Sequence, residues 1–294
     1  MECARDNQPN AAVIPEVATF LADLKRALAL GQVELPSFPD VSLQIQRLLG
    51  DDNVSTDKVV RIVGVEPVLA GHIMQLANSA ALNPRGAPVL ELRTAVARLG
   101  FDSLRAASVS FAMTQLRLAA GYKRILQPLA LLWKDNVTMA STACVVARRC
   151  RRISPDTALF AGLVSGVGKI CLLARASQSS MLIDNPQAYV QIVRDWHAEV
   201  AQVLLRGWNV ADDIVSAVHS YQHRTPTPLG TAPLADVLAV ADVLSFQQAA
   251  PEQMIEALER TQCAARLGLD ARHCATFIAE SESELATLQV ALGQ

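Results

Sequence analysis

STDKVVRIVGVEPVLAGHIMQLA, residues 55–77, is the stretch that decides the fold class. Its apolar residues recur at helical spacing, Ser55 precedes them as a candidate N-cap, and the first run stops at Gly64. Pro67 then falls in the first turn of a second helix, where its missing N–H leaves no hydrogen bond unmade. The stretch therefore predicts two consecutive amphipathic helices.

The same helical periodicity extends along the rest of the chain, and no alternating β pattern of useful length interrupts it. Pro155 and Pro186 stand where further helices would begin. Left-handed caps that end helices are predicted at glycines just beyond apolar runs. These glycines are Gly31, Gly50, Gly100, Gly121, Gly207 and Gly268. We therefore predict an all-α protein with at least a dozen helices.

Composition narrows the class of protein. Of 294 residues, 51% are apolar and 18% charged, so the chain can bury a sizeable core and is not disordered. The net charge is −2, whereas a nucleic-acid-binding domain is usually strongly basic, so a nucleic-acid partner is not expected. The six cysteines show no C-x-x-C spacing and predict free thiols rather than disulfides or zinc ligands.

Neither a membrane partner nor a secretory route is expected. The longest uncharged stretch, Pro67–Pro84, is too polar to span a bilayer. Residues 1–10 carry charges and lack the apolar core of a signal peptide. The cytoplasm is therefore the expected compartment.

The domain organisation is predicted from the positions of glycine and proline residues that would end helices or form loops. A leading helix with a mobile start is expected in residues 1–33, a first helical bundle in 34–122, a second bundle in 123–248 and closing helices in 249–294. The boundary signals are Gly121 and a proline-rich segment, Thr225–Pro233, which predicts a surface loop.

Two sets of short blocks stand in a fixed order along the chain. They are Leu35–Val41, Glu66–Ala70, Leu76–Ser79 and Ala95–Gly100, followed by Leu132-Trp133, Ala161–Lys169, His197–Glu199, Trp208 and Ala241-Asp242. In this order and spacing they resemble the HDOD domain, a bacterial output and signalling domain related to the HD metal-dependent phosphohydrolases. The resemblance implies two packed helical bundles, the second HD-like, with glycines of the Ala161–Lys169 block serving close helix packing.

The resemblance also implies where metal ligands would stand. The namesake His-Asp pair falls on Ser165 and Gly166, of which serine is a poor divalent-metal ligand and glycine has no side chain. A degenerate metal site without catalytic residues and without a cofactor is therefore implied. Its positions are Asp135, Ser165, Gly166, His197, Tyr221, Gln222, His223 and Asp242.

Three of these positions, together with the nearby His219, carry side chains with other possible roles. His219 and His223, at i and i+4, would share a helix face and could bind zinc, although a surface location is favoured. His197 is interpreted as a helix-start residue hydrogen-bonded to a neighbour, with a ligand role as the alternative. Asp242 is expected to be a buried or half-buried carboxylate held by hydrogen bonds.

Two polar features outside this set are possible interaction sites. The arginine run forms either an electropositive patch or, as favoured, the cationic end of a long helix that begins near Trp133. Asn78 and Ser79 either join the two bundles by hydrogen bonds or cap a helix that ends before Pro84. The arginines of the run are Arg148, Arg149, Arg151 and Arg152.

The leading functional hypothesis is a non-catalytic bacterial signal-transduction protein that acts through protein–protein contacts. The resemblance implies response regulators or components of a cyclic-di-GMP pathway as partners. One alternative is a metal-dependent phosphohydrolase with a remodelled site of Asp135, His197, His223 and Asp242. Another is a sensor whose emptied pocket binds a nucleotide without cleaving it.

Overall fold

The computed structural model describes residues 15–36, 38–51, 53–79, 82–83, 86–178, 185–223, 233–246 and 251–293. Within these ranges every regular element is a helix, which confirms the all-α prediction. Two short 3-10 helices span Ala120–Ile125 and Tyr221–His223. The described α-helices are α1 (Pro15–Ala29), α2 (Asp40–Leu48), α3 (Thr56–Gly64), α4 (Pro67–Asn78), α5 (Leu92–Leu118), α6 (Leu126–Cys150), α7 (Pro155–Val164), α8 (Val167–Ala176), α9 (Pro186–Gly207), α10 (Asp212–Ser220), α11 (Pro233–Phe246), α12 (Pro251–Thr261), α13 (Cys263–Arg266), α14 (Ala271–Glu280) and α15 (Glu282–Ala291).

Helix starts follow the local signals. The Ser55 hydroxyl accepts a hydrogen bond from the Lys58 backbone N–H at 3.3 Å, so Ser55 is the N-cap of α3. Pro67, Pro155 and Pro186 each occupy the first turn of a helix, as predicted. The mobile start expected before residue 15 and most of the loop expected at 225–233 lie outside the described residues.

The glycine caps are confirmed in part. Gly31 and Gly268 have φ of 64° and 74°, and Gly100, with φ of 71°, divides α5 into two helical halves. The predictions for Gly50, Gly121 and Gly207 are wrong, because their backbones are not left-handed. Of these three glycines, only Gly50 has a neighbour among the described residues that an added Cβ would meet. A Cβ on Gly50 would overlap Asn209, Gly121 lies inside a 3-10 helix, and Asn209 takes the left-handed turn (φ 57°) after Gly207.

Two clusters of buried apolar residues meet along α5. The small cluster joins α2, α3 and α4 to one face of α5 through Leu104, Ala107 and Phe111. The large cluster joins the opposite face, including Val109 and Met113, to α1 and to α6–α15. Because α5 is apolar on both faces, it is buried between the clusters.

One segment inside the large cluster is apolar on every side. Among the described residues, Pro155–Ala176 alone has the length and hydropathy of a membrane span, with a mean hydropathy of 1.8 in its most apolar window. Of that window 89% is buried inside the protein, so packing against α5, α6, α10 and α11 accounts for its hydrophobicity.

The extended segment before α2 packs on distant helices. The ring of Phe38 stacks on Trp208, with ring centroids 4.8 Å apart, and the Tyr122 hydroxyl donates to the Pro36 carbonyl at 3.1 Å. The Phe38–Trp208 contact links the predicted first bundle to the predicted second one, whereas the Tyr122–Pro36 hydrogen bond lies within the first. The domain limits at residues 33, 122 and 248 stay predictions.

The cysteines described by the structure carry no disulfide. Burial raises the pKa of the Cys144 and Cys171 thiols to about 12, so neither is a thiolate at neutral pH. Both side chains are buried in the large cluster, where they pack as small apolar groups.

Candidate functional site

A cavity of about 280 Å³ opens where α6, the α7–α8 turn, the second 3-10 helix and α11 meet. It brings together five of the positions that the sequence assigned to the degenerate metal site. Its lining is Leu132, Asp135, Asn136, Met139, Ser165, Gly166, Lys169, Tyr221 and Asp242.

The turn between α7 and α8 carries Ser165 and Gly166, the two positions to which the resemblance assigns the His-Asp pair. The buried Ser165 hydroxyl donates to the Gly162 carbonyl at 2.8 Å, which directs it to the backbone. Gly166 has φ −98° and ψ 7°, a conformation open to other residues, but a Cβ there would overlap the side-chain amide of Asn136. The Asn136 amide therefore occupies the space into which a side chain at position 166 would project.

A hydrogen-bonded chain runs from the cavity to α9. The Gln222 side-chain nitrogen donates to the Tyr221 hydroxyl at 2.7 Å, and Gln222 Oε1 lies 2.8 Å from His197 Nε2. His197 Nδ1 donates to the Val193 carbonyl at 2.7 Å. Burial, and secondarily the charge of Asp242, raises the pKa of the Tyr221 hydroxyl above its usual range, so it stays protonated at neutral pH.

His197 is hydrogen-bonded as expected, but the prediction that it starts a helix is wrong. Pro186 starts α9 well before it, and His197 lies in the middle of that helix. The ring reaches the cavity only through Gln222 and is not part of its lining.

Three charged side chains line the cavity. Asp135 lies on α6 with much of its side chain exposed. The partial loss of water around its carboxyl raises the pKa of that group, and the positive charges of Lys169 and Lys134 oppose this. Lys169 is half-buried on α8, and Asp242 is half-buried on α11, as predicted. The lining thus combines two carboxylates with one ammonium group.

This side-chain set does not fit a divalent metal. Among the residues that the structure describes, no three His, Cys, Asp or Glu side chains stand close enough to hold one. The Lys169 ammonium group repels a cation, and Ser165 is already engaged with the backbone. The His223 side chain lies outside the described part of the chain, so the zinc pair with His219 stays a prediction.

Sequence reasoning missed two residues of this cavity, Asn136 and Lys169. The sequence offered only a partial signal. Asn136 stands one turn after Leu132 on the same face of α6, and Lys169 ends the Ala161–Lys169 block, but neither position shows which side chains meet in the cavity.

The arginine run lies at the C-terminal end of α6, as favoured, although α6 begins at Leu126 rather than near Trp133. Its side chains contact the C-terminal helices α13, α14 and α15. Arg148 pairs with Glu284, and the Arg149 guanidinium lies 5.4 Å from the centre of the Phe277 ring. Arg152 donates to the Arg266 carbonyl at 2.6 Å, while Arg151 adopts φ 53° as the left-handed C-cap. An interaction role for the run stays a prediction.

Asn78 and Ser79 end α4. The Asn78 side chain donates to the Met74 and Val89 carbonyls and accepts from the Val89 N–H, each at 2.8–2.9 Å. The Ser79 hydroxyl donates to the Leu76 carbonyl at 2.8 Å. Through these contacts both residues cap α4 and fix the segment that follows it.

The fold defines an all-helical protein of the HD-like class. Residues 35–225 match the family model of the HDOD domain, and the chain belongs to that family.

Solved structures share the fold. A candidate metal-dependent phosphohydrolase of Shewanella amazonensis is 19% identical, with a TM-score of 0.71 over 95% of this chain and 100% of that one. An HDOD domain protein of Geobacter sulfurreducens is 24% identical, with a TM-score of 0.64 over 92% of this chain and 99% of that one. A candidate signal transduction protein of Marinobacter aquaeolei is 17% identical, with a TM-score of 0.58 over 95% of this chain and 67% of that one.

A relative is also found among curated proteins. An uncharacterized protein of Treponema pallidum (strain Nichols) is 23% identical over 244 residues, or 78% of this chain. The match covers 45% of that relative's length, so the chain spans about half of it.

The contact between Asn136 and Gly166 is tested by a double-mutant cycle. Gly166→Ala is expected to lower the free energy of unfolding by about 2 kcal/mol, because the new Cβ overlaps the Asn136 amide. In the Asn136→Ala background the same change is expected to cost less than about 0.5 kcal/mol, since the obstacle is gone. Urea unfolding of the four proteins measures both costs. Equal costs in the two backgrounds would show that Asn136 does not occupy the space beside Gly166.

Proposed function

We propose that this HDOD protein is a non-catalytic signalling protein that acts through protein–protein contacts. The proposal rests on the contacts of Ser165 and Gly166, the two positions at which the resemblance places the His-Asp pair. Asn136 takes the space beside Gly166, and Ser165 is hydrogen-bonded to the backbone. Metal-assisted phosphate ester hydrolysis needs several side chains that hold a divalent metal, because the metal lowers the pKa of a bound water and neutralises phosphate charge.

The proposed signalling role has support from the comparisons at the level of the fold. A structure described as a candidate signal transduction protein shares this fold. We propose response regulators or components of a cyclic-di-GMP pathway as partners, and the cytoplasm as the compartment.

The absence of catalysis is tested on purified protein. We expect no stoichiometric Fe, Mn, Zn or Ni by elemental analysis. We also expect no hydrolysis of bis(p-nitrophenyl) phosphate or cyclic-di-GMP when Mn²⁺ is added, because the ligand pair is missing. His197→Ala and Asp242→Ala, which each remove one ligand of the alternative metal site, are measured beside the wild type. About one metal per chain, lost together with turnover in either variant, would instead support the remodelled phosphohydrolase of Asp135, His197, His223 and Asp242.

The contact role is tested by affinity capture with the whole chain as bait and an unrelated helical protein as control. Enrichment of a response regulator or a cyclic-di-GMP protein, reproduced between purified components, is the expected result. Capture of neither class would contradict the proposed partners.

A further inference from the structure

We infer that the cleft between α5 and the loop that joins α9 to α10 binds the phosphate group of a small phosphorylated molecule. The cleft has a volume of about 450 Å³ and is lined by residues of both predicted bundles. The groups that carry the inference are Arg105, Arg206 and the first residues of α10. The inference goes beyond the proposed protein contacts and does not depend on them, because binding is measured on the isolated protein.

The first observation is a buried positive charge without a carboxylate partner. Arg105 is 5% exposed, and no carboxylate among the described residues lies within 4.0 Å of its guanidinium. Burial lowers the pKa of the guanidinium, and the charge of Asp102 offsets only part of this effect. Buried charges are nearly always paired, because they have lost the water that stabilised them. An anionic ligand would supply the missing partner.

The second observation is that the protein holds this guanidinium in place and leaves donors unused. Gln46, fully buried on α2, accepts from Arg105 Nη1 at 3.4 Å and donates to the Arg105 carbonyl at 3.0 Å. Arg105 Nη2 donates to the Asn209 carbonyl at 3.4 Å. Both bonds of the guanidinium are long. Its Nε–H, which is not fully buried, has no acceptor among the described residues. The planar guanidinium can therefore still donate to an oxyanion in the cleft.

The third observation is that further donors belong to the same lining. Arg206, exposed at the end of α9, makes no side-chain hydrogen bond or ion pair with a described residue. Helix α10 begins at Asp212, after Ala211, whose side chain cannot cap it. The backbone N–H groups of Asp212 and Asp213 accordingly have no acceptor within the described part of the chain. Guanidinium groups beside the free N–H groups of a helix N-terminus are typical of a phosphate site.

Two carboxylates also line the cleft, so its net charge does not by itself attract an anion. Asp102 Oδ2 accepts a hydrogen bond from Thr157 Oγ1 of α7 at 2.6 Å, and Asp212 is exposed to water. The attraction comes from the donors of the two arginines and of the α10 backbone. Removal of the Asp212 charge should therefore strengthen binding of an anion, a response that a purely structural role of the arginines would not give.

The size of the cleft favours a phosphate ester over a phosphate ion. Its volume lies within the range of pockets that enclose small organic ligands, about 300–1,000 Å³. Leu49, Phe101 and Ile214 give the lining an apolar part, and Phe101 is 38% exposed. We therefore expect an aromatic phosphate ester to bind more tightly than inorganic phosphate, because its ring would contact these side chains.

The test is calorimetric titration of the full chain, in a phosphate-free buffer, with inorganic phosphate, phenyl phosphate and benzoate. Phenyl phosphate is expected to bind with a Kd below about 1 mM, and inorganic phosphate more weakly. Benzoate carries a carboxylate on the same ring. It is expected to bind at least about tenfold more weakly than phenyl phosphate, because it offers fewer acceptor oxygens and less negative charge.

Variants place the binding in this cleft. Arg206→Met and Arg105→Lys are each expected to weaken binding about tenfold, because the first removes a charged donor and the second removes the planar fork. Asp212→Asn is expected to tighten binding about threefold, since it removes a like charge. Arg194→Met is the matched control, because Arg194 is exposed on the same helix as Arg206 and lies outside the lining. If Arg105→Lys does not fold, Arg206→Met and Asp212→Asn decide.

Three results would overturn the inference. The first is that neither phosphate probe binds at about 10 mM. The second is that Arg206→Met or Asp212→Asn binds phenyl phosphate as wild type does. The third is that benzoate binds as tightly as phenyl phosphate, which would identify a carboxylate site instead. None of these results bears on capture of a partner protein, so this inference and the proposed function fail separately.

Discussion

Replacing Gly168 with alanine is expected to lower the free energy of unfolding by about 3 kcal/mol, one of the two largest single effects that we predict. Gly168 lies in the first turn of α8, where α8 packs against α9. A Cβ at this position would overlap the backbone carbonyl of His197 and would lie 3.0 Å from the Ala201 nitrogen. Backbone atoms cannot rotate away as a side chain can, so α8 and α9 would have to separate.

Gly71→Ala is the matched control for this substitution. Gly71 lies inside α4, and no atom stands within 4 Å of its added Cβ. Alanine there is expected to stabilise the protein by about 0.5–1 kcal/mol, because glycine loses more backbone entropy in a helix. Urea unfolding of both variants makes the comparison. If Gly168→Ala were as stable as wild type, the close packing of α8 on α9 at this point would be refuted.

The second large effect concerns the ion pair between Asp236 of α11 and Arg266 of α13. Both side chains are about nine-tenths buried, and Arg266 Nε donates to the two carboxylate oxygens at 3.0 and 2.9 Å. Asp236→Ala or Arg266→Ala is expected to cost about 3–5 kcal/mol, because either leaves the other charge buried without its partner. Thermal and urea unfolding measure this cost.

Two comparisons separate loss of the pair from loss of packing. The double variant Asp236→Ala/Arg266→Ala is expected to cost less than the sum of the single changes, since no unpaired charge remains. Arg93→Ala, which breaks an ion pair with Asp57 whose side chains are 62% and 60% exposed, is expected to cost less than about 1 kcal/mol. Strict additivity in the Asp236–Arg266 cycle would show that the two side chains are not coupled.

Some residues of the candidate site were predicted from the sequence and others were missed. Ser165, Gly166, Tyr221 and Asp242 line one cavity, as their shared assignment to one site required. Asn136 was missed because its importance comes from Gly166, a residue thirty positions away whose missing side chain leaves room for the amide. His197 was placed at a helix start because a single histidine carries no information about the length of the helix before it.

By itself, the sequence determined the fold class and the starts of α3, α4, α7 and α9. Those features depend on atoms within a few residues of each other, such as the Ser55 cap and the proline rings. The tertiary structure alone decided which glycines have a positive φ and which make room for a neighbouring segment, as Gly50 does for Asn209 in the loop between α9 and α10. It also decided that the Asn136 amide fills the space beside Gly166. Such relations depend on helices that meet only after packing, and no local pattern records which side chains then face each other.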